Sequence, residues 1–273
     1  MASPFRLCES FDADGNVYRR YDLTPPKECL ATAAEEYRRL RVGSIGNLTG
    51  IQLDGIDVVD ISALHNRLVA AVIPAPSGSP LDVVRSDLGE VLAYMVLENE
   101  FGTTVPFKLV RERELPGKPG RGIDAIGIEA GDPLTLVLCE AKVSDEDAHP
   151  PQVVDAGDQS IKKTLVHRLT DKTGTGDLIF AAATRTSDEG DRNLLLAAGI
   201  LWEEEDHGHL QVVGCGVLVR PTHRFHVSDF GSLRTSPDTL KPAKVRLLLL
   251  TIDGELATTV DRFHKLTLGT EVS

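Results

Sequence analysis

The run Leu134-Thr-Leu-Val-Leu-Cys-Glu-Ala-Lys-Val143 constrains this chain more than any other segment. It is apolar on both faces until Glu140, as a strand covered from two sides must be. Such a strand needs helices above and below it. That predicts an α/β (α+β) protein with a mixed central β-sheet flanked by helices. Just before it, Gly122-Ile-Asp-Ala-Ile-Gly-Ile128 is a second β-rich run, and Gly131-Asp-Pro133 supplies turn residues between the two. The pair reads as a β-hairpin.

Periodicity predicts the surrounding elements. Strands are expected at Tyr18–Leu23, Val105–Glu112, Asp177–Thr184, Leu210–Val219 and Val245–Ile252. Helices are expected at Pro26–Leu40, from an N-cap at Ser86 to Glu98, near Asp158–Leu169 and near Leu256–Lys265. Thr173-Gly-Thr-Gly176 reads as a turn, since it lacks the length and the Lys-Ser/Thr of a phosphate-binding loop. Pro74-Ala-Pro-Ser-Gly-Ser-Pro80 is the strongest boundary signal. It divides a smaller N-terminal region, 1–75, in which no chemistry stands out, from a domain over 81–273.

Charge narrows the function. The 29 Lys+Arg against 41 Asp+Glu give −12 at pH 7, which argues against a free-standing non-specific nucleic-acid binder. A local basic cleft remains compatible, because Lys108, Arg111, Arg113, Lys118 and Arg121 crowd into residues 105–121. The longest apolar runs, Leu68–Ala75 and Leu247–Ile252, are far shorter than a membrane span. Residues 1–20 show no secretory signal, and the four cysteines are scattered. A cytoplasmic protein with reduced thiols and no membrane partner is expected. His207, His209, His223 and His226 fit no common zinc spacing and read as solvated.

Chemistry concentrates on Asp124, Glu140 and Lys142. Glu140 and Lys142, two apart on a strand, share a face, and the hairpin returns Asp124 alongside. Charges at the end of an apolar strand are costly unless paired or holding a cation. Two hard oxygen ligands suit Mg²⁺, with Mn²⁺ as a substitute. This pattern resembles the PD-(D/E)xK nuclease superfamily, with Ile123 in place of the motif's proline. The resemblance implies a restriction-endonuclease-like core and a metal-dependent DNA endonuclease. Asp124 and Glu140 would hold the metal, and Lys142 would orient water or stabilise charge. It further implies Glu90, on the preceding helix, as a metal-site acid, and Gln159 as an accessory residue. Lys162, Lys163 and Arg121 are candidate DNA contacts.

The order of a Gly-Glu90 helix, a basic strand, Gly-x-Asp124 and Glu140-x-Lys142 is similar to the nuclease-subunit family (HamA) of Hachiman anti-phage defence systems. That implies a superfamily 2 helicase partner (HamB-like), which senses DNA and restrains the nuclease. Two other readings stay open on sequence: a nuclease-fold subunit that no longer cuts and clamps DNA or a partner, and a stand-alone restriction or repair nuclease.

Overall fold

A computed structural model describes residues 3–43, 67, 69–76, 82–112 and 122–271. Seven strands form one mixed sheet: β1 (Phe5–Ala13), β2 (Asn16–Leu23), β3 (Thr104–Lys108), β4 (Ala125–Glu129), β5 (Leu134–Val143), β6 (Leu210–Pro221) and β7 (Lys244–Ile252). Their spatial order is β1-β2-β7-β6-β5-β4-β3. The central β2, β7, β6 and β5 run parallel to one another, while β1, β4 and β3 add antiparallel edges. The helices are α1 (Pro26–Val42), α2 (Val83–Phe101), α3 (Leu109–Glu112), α4 (Gln152–Asp155), α5 (Ile161–Thr170), α6 (Lys172–Arg185), α7 (Glu189–Glu203), α8 (Gly231–Thr235) and α9 (Leu256–Leu268).

Strand alternation sorts β5 between two cores. Val137, Cys139, Ala141 and Val143 pack with α1, α2 and α9 residues such as Tyr37, Val91 and Phe263. Leu136 and Leu138 face the other way, among Ile161 and Leu165 of α5, Ile179 of α6 and Leu195 of α7. A strand sandwiched in this way can be apolar at every position, which explains the run that marks it in the sequence. No described helix is long and apolar enough to cross a membrane.

The sheet also takes in residues N-terminal to the Pro-rich stretch. β2 pairs in parallel with β7, with Tyr21 opposite Leu250, and β1 closes the edge as a hairpin partner. Most of the stretch itself lies outside the described residues.

Three expectations are corrected. Residues 177–184 are helical, not a strand: Asp171 caps α6, its Oδ1 accepting from Gly174 N–H at 3.0 Å, so the Thr-Gly-Thr-Gly segment is the first turn of a helix. The buried positions Thr175, Ile179, Ala182 and Ala183 follow a helical period that a short apolar run also fits. Second, α2 begins one turn before Ser86, because Asp82 Oδ1 accepts from Val84 N–H at 2.8 Å. Third, the strand expected over 105–112 ends at Lys108 and turns into α3.

Candidate active site

Burial of Leu136 and Leu138 contributes roughly 1.5–3 kcal/mol each. By strand alternation Glu140 and Lys142 continue their row, which forgoes that gain and adds the cost of desolvating charge. The fold therefore does not select these residues for stability.

The hairpin sets their company. Ala125 pairs with Cys139, so the next position down brings Asp124 across from Glu140. Asp124 is fixed at three atoms: its N–H donates to Cys139 O (3.1 Å), its carbonyl accepts from Leu109 N–H (2.9 Å), and its Oδ2 accepts from Ala141 N–H (2.7 Å). Asp124 and Glu140 are 6% and 2% exposed. Lys142 Nζ donates to Glu140 Oε1 at 2.5 Å. Glu140 Oε2 is buried with no hydrogen-bond partner among the described residues.

Electrostatics follow from this crowding. Burial, joined by the neighbouring Asp124 charge, pushes the Glu140 carboxyl up to about 8, against the pull of Lys142 and of Arg168. Burial also works against the Lys142 ammonium, but the Glu140 and Asp124 carboxylates outweigh it and raise its pKa. An orphaned buried carboxylate oxygen beside a second fixed carboxylate is a donor set short of a cation. The residues present thus fit a hard divalent ion held by Asp124 and Glu140. Among the described residues, no three or more His, Cys, Asp or Glu side chains converge as a ready metal cluster.

Glu90 approaches from α2. Gly89 brings this helix close to the end of β5, where a Cβ would collide with the Val143 side chain. The Tyr94 hydroxyl lies 3.3 Å from Glu90 Oε2 and 3.1 Å from Asp124 O, and Ser86 Oγ donates to Glu90 Oε1 at 3.2 Å. Burial, then the Glu90 and Asp124 charges, raise the Tyr94 hydroxyl well above its ordinary value, so it remains a neutral donor. Tyr94 and Ser86 went unmarked as site residues in the sequence, although Ser86, Glu90 and Tyr94 stand at i, i+4 and i+8, one helical stripe.

The other expected residues lie elsewhere. Gln159 is exposed in the turn before α5. Lys162 donates to Ser232 Oγ (2.8 Å), and Lys163 reaches Ala156 O (3.1 Å) and Asp158 (3.2 Å), so both lean toward local partners. Arg121 falls outside the described residues. Lys108, from the basic segment, is held by Glu98 (2.7 Å) and Glu36 (3.1 Å). His209 pairs with Asp206 on the surface, and His226 stacks against His149 with ring centroids 4.7 Å apart. The sequence reading also missed Arg168, on α5, whose Nη2 lies 3.7 Å from where a Gly122 Cβ would stand.

A family model described as HamA matches residues 56–193, just over half of the chain. The chain belongs to the HamA family. The matched segment carries Glu90, Asp124, Glu140, Lys142 and Arg168, so family membership rests on the stretch that builds the site. As a HamA-family member the protein is a subunit of a Hachiman anti-phage defence system, which implies a partner within that system. No curated protein and no solved structure matches the HamA-family chain.

Proposed function

We propose that this HamA-family chain is a divalent-metal-dependent DNA endonuclease of the PD-(D/E)xK type, the effector of its defence complex. One observation carries the reading: Asp124 and Glu140 are buried together at the end of β5, with Glu140 Oε2 unpartnered among the described residues and Lys142 on the same strand face. Asp124 and Glu140 would hold Mg²⁺, or Mn²⁺ in its place. When bound, the ion polarises the scissile phosphate and lowers the pKa of water.

The chain's own residues do the rest. Ala141 N–H holds the Asp124 carboxylate in place through Oδ2. Lys142, kept charged by its two carboxylate neighbours, orients the attacking water or offsets charge that builds on the phosphoryl oxygens. Glu90, held by Ser86 and close to Tyr94, is a third acid within the field of Lys142 and helps organise water at the site. A net charge of −12 slows unassisted encounter with DNA. A superfamily 2 helicase subunit that binds DNA and holds the nuclease in check accounts for that balance.

The test is plasmid cleavage by the purified chain in Mg²⁺, with and without a superfamily 2 helicase subunit of a Hachiman system, and with EDTA as control. EDTA-sensitive nicking or linearisation in either arm is the expected result. Intact plasmid in both arms contradicts the nuclease reading.

A further inference from the structure

Arg168 stands apart from the other described arginines whose Nε is buried. Its Nε is buried without a hydrogen-bond partner, as are those of Arg19, Arg20, Arg41, Arg85, Arg220, Arg246 and Arg262. Each of the others nonetheless has a partner: Arg19, Arg20, Arg85, Arg220, Arg246 and Arg262 pair with Asp12, Glu9, Asp145, Asp229, Glu129 and Glu271 respectively, and Arg41 Nη1 donates to Val110 O. Among the described residues Arg168 has no ion pair and no side-chain hydrogen bond. It extends from α5, the helix packed over the row of Leu136, Leu138 and Glu140, toward the Gly122 turn that leads into Asp124. Gly122 has φ +123°, a conformation that favours glycine, and a Cβ there would stand in van der Waals contact with the guanidinium.

Charge bookkeeping says what such a cation is for. With an ion bound and Glu140 ionised against it, the described groups Asp124, Glu140 and Glu90 bring three negative charges, Lys142 one positive, and the divalent ion two more. Those sum to zero, which gives no net attraction for an anion. Arg168 makes the total +1, the complement of one phosphodiester. That complement grows in value as a second negative charge develops on the phosphorus oxygens during hydrolysis. A guanidinium with adjacent free donors suits two oxygens of one phosphate.

We propose that Arg168 and the Gly122 turn form a phosphodiester-binding subsite beside the Asp124–Glu140 pair, with the guanidinium contacting the non-bridging oxygens of the strand to be cut. The subsite rests on the nuclease reading above and adds its substrate contact. It also locates that contact near the C-terminal end of α5, away from Gln159, Lys162 and Lys163 at its start.

The test uses the full chain as wild type, Arg168→Gln and Arg168→Lys. Affinity for a short fluorescein-labelled DNA duplex is read by anisotropy in Ca²⁺, and Mn²⁺ affinity by calorimetry without DNA. Arg168→Gln should weaken duplex binding by about 10–100-fold, the loss of one charge-assisted contact, with Arg168→Lys in between. Mn²⁺ affinity should stay within a few-fold of wild type or tighten, because a positive charge has left the ion's surroundings. Should Arg168→Gln unfold, Arg168→Lys, which keeps the charge and loses the fork, supplies the comparison. Duplex affinity within twofold of wild type overturns the subsite. So does a fall in Mn²⁺ affinity that parallels the fall in duplex affinity, since that marks a purely structural arginine. A wild-type chain that binds no Mn²⁺ contradicts the nuclease reading itself, and the subsite falls with it.

Discussion

At the scale of single residues, Glu140 and Lys142 have different jobs despite their contact. Replacing Glu140 by Gln, or Asp124 by Asn, removes an anionic ligand, so each variant should lose Mn²⁺ binding in a calorimetric titration. Wild-type affinity in either would take that residue out of the site. The Asp124–Glu140–Lys142 group was legible in the sequence because it depends on strand alternation and one hairpin, both local patterns. Ser86 and Tyr94 were legible in principle from helical spacing. Arg168 was not, because its proximity to Gly122 arises only when α5 folds across β5, and nothing in the sequence near either residue encodes that.

At the scale of elements, the approach of α2 to β5 positions Glu90, and Gly89 permits it. Gly89→Ala should destabilise the protein by about 1–3 kcal/mol, an overpacking cost, and lower any cleavage activity further than stability alone explains; urea titration beside a cleavage assay separates the two. The loops after β5 and β6 are tied by Arg220, fully buried, which donates to Asp229 (2.5 Å) and to Glu146 O, while His149 Nδ1 shares the same Asp229 oxygen at 2.7 Å. Asp229→Ala leaves the guanidinium buried without its counter-ion and should cost about 3–5 kcal/mol in denaturant unfolding. A loss under 1 kcal/mol would mean that the pair contributes little.

The join between β2 and β7 carries a pH signature. Burial favours a higher pKa for Asp22, but hydrogen bonds from Thr251 (2.5 Å) and Arg6 (2.6 Å) outweigh it and hold the carboxyl at about 2. A depressed carboxyl stabilises the folded state above its unfolded pKa of about 3.9 and loses that contribution as pH falls toward 2. Wild type should therefore lose up to about 2 kcal/mol from this group over that window. Asp22→Asn should show a shallower acid loss in pH-dependent melts; an identical acid limb would remove Asp22 from the account. Element prediction failed where apolar runs were short: Leu178 to Ala183 fits a strand or a helix by pattern, and only the Asp171 cap and the packing of Gly199 against Phe180 decide it.

At the scale of the whole molecule, the sheet class and its covered centre were readable from the β5 run. The place of β1 and β2 was not, because strand order across a sheet is a tertiary property. Charge is organised on the same scale. The molecule is acidic overall, yet the proposed site with its divalent ion and Arg168 carries a positive balance, so any DNA affinity of the isolated chain should be weak and confined to one cleft. Added salt should weaken it with a shallow slope, one or two phosphates' worth; a steep slope would mean an extended DNA surface elsewhere. The most direct measurement compares plasmid cleavage in Mg²⁺ by wild type and by Lys142→Ala, each with the helicase present and each shown to be folded. Wild type should cut, and Lys142→Ala should fall by at least about 10²–10³-fold while still binding Mn²⁺. Cleavage by Lys142→Ala at the wild-type rate would show that the chemistry lies somewhere other than the end of β5.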